Sequence, residues 1–159
     1  MHNIICLENE WLFNSQKKDN QFNLETKHLL NCLSNFHDCN FIHRSVLSKE
    51  DLIYYMNFFT NDKRRFNKYD IIYFACHGCS ACRTLANEAA ALDFKKQTGA
   101  KLVSGYKLSV DAMKSAIADL AYFNDLMHIK NVGIMLNEDI SKFWKTYRSL
   151  LDELKFITV

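Results

Sequence analysis

Apolar positions along the chain fall into short runs that alternate with longer stretches of helical spacing, and this alternation predicts an α/β fold. Residues 3–7 (Asn-Ile-Ile-Cys-Leu) form a run suited to a buried strand, and the polar stretch that follows to Asn20, carrying Trp11 and Phe13, reads as a loop. From 22 to 36, Leu29, Leu30, Leu33 and Phe36 recur at helical spacing, with Cys32 beside them; residues 37–40 end the pattern. Phe41-Ile42-His43 is a second short strand. Ser48 with Asp51 three residues later has the form of a capping box, and Leu52, Tyr55, Met56 and Phe59 mark the buried face of the helix it opens.

After a charged connection at 61–68, residues 71–75 make the clearest strand, apolar throughout as expected where both faces of a parallel sheet are covered. Residues 83–98 are rich in Ala, Leu, Glu and Lys, and Gly99 stands where a helix should stop. Lys101-Leu102-Val103-Ser104 reads as a strand turned by Gly105. Val110, Met113, Ile117, Leu120 and Phe123 form one stripe of a longer helix, residues 140–154 give another, and Phe156-Ile157-Thr158 closes as a strand. The expected architecture is one domain over residues 1–159, a three-layer α/β/α sandwich on a mostly parallel sheet.

Composition narrows the function classes. At 159 residues one core suffices, and 48% hydrophobic with 24% charged residues is ordinary for a globular chain. A net charge of +2 favours no particular partner, and the densest basic run, Lys63-Arg64-Arg65, reads as a solvated loop, so no nucleic-acid partner is expected. Residues 1–7 lack a basic leader and meet Glu8 and Glu10 almost at once, against a secretory segment. No apolar run approaches the ~20 residues of a membrane span, so no membrane partner is expected and the protein reads as cytoplasmic. Of the six cysteines (Cys6, Cys32, Cys39, Cys76, Cys79, Cys82), most should then be reduced, three of them as small buried hydrophobes.

The chemistry gathers at 69–85, where the strand runs into Cys76-His77-Gly78-Cys79-Ser80-Ala81-Cys82. In open α/β sheets functional groups collect beyond the carboxyl ends of the strands. A histidine there suits a general base, and the Gly78 N–H can face a developing oxyanion without a side chain in the way. A free thiol ordinarily titrates near ~8.5, so it needs an activator at neutral pH, and a neighbouring imidazole is the usual one. A metal is the other reading: Cys76, Cys79 and Cys82 have the C-x-x-C-x-x-C spacing of iron-sulfur sites, weakened by the lack of a nearby fourth cysteine, so that His77, Cys39 or His43 would have to complete the shell. A thioredoxin-like pair has less in its favour. The plain reading, packed cysteines and a hydrogen-bonded loop histidine, stands beside both.

Tyr-Phe-Ala-Cys-His-Gly at 73–78 resembles the histidine-glycine motif of caspase-like peptidases of the CHAT type, and Ser-Ala-Cys-Arg-Thr at 80–84 resembles the segment that carries their nucleophilic cysteine. Cys6-Leu7-Glu8 with Trp11, Ile42-His43-Arg44, residues 50–55, Thr98-Gly99-Ala100, Ser104-Gly105-Tyr106 and Val110-Asp111 resemble a small family of uncharacterised bacterial caspase-like proteins, which extends the likeness over nearly the whole chain. The resemblance implies a cysteine peptidase with His77 as base, Cys82 as nucleophile, and the Gly78 and Cys82 N–H groups as oxyanion donors. It implies a protein or peptide substrate and no cofactor. Asp111 becomes a candidate substrate-pocket residue, against the plainer reading of a solvated helix cap.

In that family the histidine and cysteine end adjacent parallel strands, whose crossover needs a dozen or more residues. Only three separate Gly78 from Cys82. Either a helix-strand unit is lost and the sheet is one strand short, or Gly78 and Cys79 flank an omitted segment. Caspase-like folds also include inactive members, so a non-catalytic protein-interaction module is the alternative. Elsewhere the plain readings hold: His43 as a strand-end histidine, His28 and His128 on helix surfaces, Trp11 and Trp144 as packing anchors.

Overall fold

A computed structural model of the chain describes residues 2–9, 26–60, 69–76, 87–107 and 110–159. These residues form an α/β structure, with a three-stranded parallel sheet and a two-stranded antiparallel sheet among them. The chain divides into two compact units, Met1–His77 and Gly78–Val159.

The first unit runs β1 (His2–Asn9), α1 (Thr26–Phe36), β2 (Cys39–Ser45), α2 (Lys49–Thr60) and β3 (Ile71–Cys76), with strand order β2-β1-β3. Both pairings are parallel, with Cys6 registered to His43 on one side and to Tyr73 on the other. Strand alternation divides β1 between the two faces. Ile5 and Leu7 pack with Val46 and Phe59 beside Leu52, Tyr55 and Met56, so α2 covers that face with the residues its spacing predicts. Ile4, Cys6 and Glu8, all buried, belong to the opposite face, where Thr26 at the start of α1 bonds Glu8.

The capping box forms as its sequence predicts: the Asp51 N–H donates to Ser48 Oγ at 3.1 Å and the Ser48 N–H to Asp51 Oδ2 at 3.0 Å. Two orphan donors at the helix start are thereby satisfied. At β3 the expectation of two covered faces is corrected. Ile72 and Phe74, on the face that α2 covers over β1, keep 39% and 38% of their surface exposed. Among the described residues β3 pairs with β1 alone and lies at one margin of the sheet, beyond the core that α2 makes with Ile5 and Leu7.

The second unit holds α3 (Glu88–Thr98), β4 (Ser104–Tyr106), α4 (Ala112–His128), a 3-10 turn (Val132–Leu136), α5 (Lys142–Leu154) and β5 (Phe156–Thr158). α3 opens on Asn87, whose side chain accepts from the Ala90 N–H, and closes on Gly99 at φ 70°, a left-handed stop that glycine takes without a Cβ clash. Two expectations are corrected. Gly105 does not turn a strand; it lies inside β4, opposite Ile157 of the antiparallel partner β5. On α4, Met113 and Ile117 are 65% and 50% exposed, while Ala116, Ala118, Tyr122, Phe123 and Leu126 are buried. An aromatic cluster sets that face: Tyr122 meets Phe143 and Phe156 edge-on at 5.3 and 5.5 Å, and Tyr106 meets Phe156 at 5.3 Å. Trp144 is a packing anchor, buried, its Nε1 donating to the Met135 carbonyl.

Candidate functional site

A parallel sheet opens a crevice at the carboxyl ends of its strands where the strand order reverses, because the connections there leave in opposite directions. In the order β2-β1-β3 that point lies between β1 and β3, where Asn9 is registered with Cys76. His77 is the next residue in the chain. His77, Gly78, Cys79 and Cys82, with the junction between Gly78 and Cys79, lie outside the described residues, and of Cys76 only the strand backbone is described.

At this same edge the described residues form a buried polar cluster. Glu8, 5% exposed, is the penultimate residue of β1. Its Oε2 meets Nε2 of His43 from β2 at 2.5 Å. Its Oε1 accepts from Thr26 Oγ1 at 2.6 Å and from the Thr26 N–H at 3.2 Å. A carboxylate is acceptor-only, so Nε2 of His43 carries the hydrogen and Nδ1 is the ring's remaining nitrogen. The side chains of His43 and Glu8 are 15% and 7% exposed.

The start of α1 explains half of the cluster's logic. α1 has no acidic residue in its first turn, so its exposed N–H groups lack the carboxylate that such an end favours. Glu8 supplies it from a neighbouring strand. The other half is desolvation: a carboxylate this buried is costly unless its partners are well placed, and three donors from two elements meet that condition. The cluster ties the ends of β1, β2 and α1 to one side chain.

His43 lies near the end of β2, as the plain reading has it, and the contact to Glu8 is what the sequence does not show. Sequence reasoning does not single out Glu8. The usable signal is an acid directly after the apolar run at 4–7. His28 and His128 are exposed on their helices.

Asp111 sits exposed at the start of α4, in the second unit, and accepts from the Lys114 N–H at 2.9 Å as the helix cap. Cys6 and Cys39 are buried and Cys32 is exposed, and none of the three is in a disulfide. Burial, and secondarily the Asp38 carboxylate, pushes the Cys39 thiol up. Among the described residues no three His, Cys, Asp or Glu side chains group as metal ligands, and no helix is long and apolar enough to cross a membrane. Comparison of the chain with protein-family models, with curated proteins and with solved structures finds no match.

Proposed function

We propose that the chain is a caspase-like cysteine peptidase-type domain acting on a protein or peptide in the cytoplasm, with Cys82 as nucleophile and His77 as base. The observation that carries this reading is the position of β3. It ends at the reversal point of a parallel sheet, and the residue that follows it is His77. The Cys82 thiolate attacks the peptide carbonyl carbon, and the carbonyl electron pair moves to oxygen, held by the N–H groups of Gly78 and Cys82. Collapse breaks the C–N bond; the amine leaves with a proton from His77, and water then hydrolyses the thioester to the acid and restores the thiol.

The test is iodoacetamide labelling resolved by residue in mass spectrometry. Cys82 should react faster than the exposed Cys32, and His77→Ala should remove the excess. Equal, slow labelling of the two thiols in the unaltered chain sinks the reading.

A second reading, a non-catalytic interaction module, has its own observation. Among the described residues β3 is a marginal strand carrying exposed Ile72 and Phe74, and a marginal strand with apolar side chains is a template for an added chain. Equal, slow labelling of Cys82 is the outcome that favours it.

A further inference from the structure

We infer that the outer edge of β5 is a docking groove for an extended peptide of a partner protein, which joins the antiparallel sheet as a third strand. The groove is built by the second unit alone, and nothing in it depends on the reaction proposed at Cys82. Register decides which backbone groups face outward. Val103 and Val159 exchange both N–H···O bonds, at 3.0 and 2.9 Å, and the Lys107 N–H donates to the Lys155 carbonyl at 3.0 Å. Antiparallel pairs alternate between bonded and unbonded, so Ile157 bonds Gly105 while the N–H and C=O groups of Phe156 and Thr158 point away from β4. Among the described residues β5 pairs with β4 alone.

A cavity of about 190 Å³ lies on that open side. All of β5 and Val159 line it, whereas β4 contributes nothing and only Lys107, just beyond its end, reaches in. Ile157 and Val159 pack with Ala91 of α3, and Phe156 packs on the other face with Phe143 and Trp144 of α5. A cavity that touches both faces of one strand and none of its partner strand runs along the outer edge. Size and depth choose the occupant. Small-molecule pockets commonly hold about 300–1,000 Å³, so this space is narrow for a cofactor or metabolite. Phe156, Ile157 and Val159 are 7%, 9% and 8% exposed, so the edge is the floor of the groove. A second copy would bring a strand that carries its own helices and could not descend to that floor; a single extended chain can. The floor offers main-chain donors and acceptors, and Leu136 and Trp144 offer an apolar wall to alternate side chains. Thr158 Oγ1 is the buried side-chain polar atom without a hydrogen-bond partner among the described residues, and a cross-strand neighbour is where threonine hydroxyls find one.

The probes are three fluorescein-labelled peptides of about seven residues, in which threonine alternates with valine, with leucine or with phenylalanine, added to the full chain. At least one should bind saturably by fluorescence anisotropy. At saturation it should slow amide exchange at Thr158, read by NMR, by about tenfold or more, and leave Ser104 and Tyr106, whose N–H groups face the other edge, unchanged. N-methylating every second backbone amide of the peptide, in either frame, should weaken binding about tenfold or more. Thr158→Pro removes a donor that β4 does not use and should weaken binding to a similar degree with the circular dichroism spectrum unchanged. If that variant does not fold, the N-methylated peptides carry the test. No saturable binding by any of the three, equal binding of the N-methylated forms, or slowed exchange at Ser104 and Tyr106 in place of Thr158 overturns the proposal. A dimer in sedimentation equilibrium whose Thr158 amide is protected without peptide overturns it in favour of a second copy.

Discussion

The two edges of the parallel sheet solve one problem with nearly the same parts. At the amino edge the Asp70 carboxylate takes a histidine nitrogen and the backbone N–H of Asn3; at the carboxyl edge the Glu8 carboxylate takes a histidine nitrogen and the backbone N–H of Thr26. Solvent separates them. His2 and Asp70 keep 35% and 44% of their side-chain surface exposed, against 15% and 7% for His43 and Glu8. Water competes for every bond of the outer clasp, so its net contribution is in the range of about 0–1 kcal/mol. The inner clasp gains little against an apolar replacement, yet cutting one partner strands the others without water, at roughly 3–5 kcal/mol. The difference teaches that burial turns a modest contact into one whose loss the edge cannot absorb.

The largest expected effect follows from that asymmetry. Glu8→Ala leaves His43 Nε2, Thr26 Oγ1 and the Thr26 N–H without their acceptor, and urea unfolding should show a loss of roughly 3–5 kcal/mol. A loss below about 1 kcal/mol would mean that water reaches the cluster and that the two edges are alike. Thr26→Val comes next. It removes one hydrogen bond to a charged acceptor and should cost about 1.5–3 kcal/mol, read in the same titration. Asp70→Asn should cost less than about 1 kcal/mol, and a larger value would erase the contrast from the other side. The smallest effect is that of salt. Going from about 0.05 M to 0.5 M sodium chloride should shrink the Asp70→Asn penalty by a few tenths of a kcal/mol and leave the Glu8→Ala penalty unchanged, because screening acts on exposed pairs far more than on buried ones.

The second unit shows where local pattern stops deciding structure. The α4 helix forms as its spacing predicts and Phe123 of the predicted stripe is buried, but the rest of the buried face is carried by Ala118, Tyr122 and Leu126, and Met113 and Ile117 are left outside. The apolar stripe is real as a count of hydrophobic residues. The choice of face is made by Tyr122 packing on Phe143 and Phe156, partners contributed by α5 and β5. Tyr122 is also held neutral there, its phenol pushed up to about 12 mainly by burial. Gly105 departs from its expected turn for a related reason. A glycine suggests a turn locally, and only its pairing with Ile157 places it inside a strand.

What the sequence determined by itself is what neighbours along the chain decide. The Ser48–Asp51 capping box, the left-handed Gly99 stop and the strand before His77 all depend on residues within one turn or one run, and all three form where the local pattern puts them. The motif residues His77 and Cys82 are equally visible as residue types, and they lie outside the described residues. The Glu8 cluster was decided by tertiary structure alone. Its members are 18 and 35 residues apart, and they meet because β2 pairs beside β1 while α1 begins over the same face. No local propensity encodes that meeting. Strand order creates it, and the exclusion of water gives it its strength.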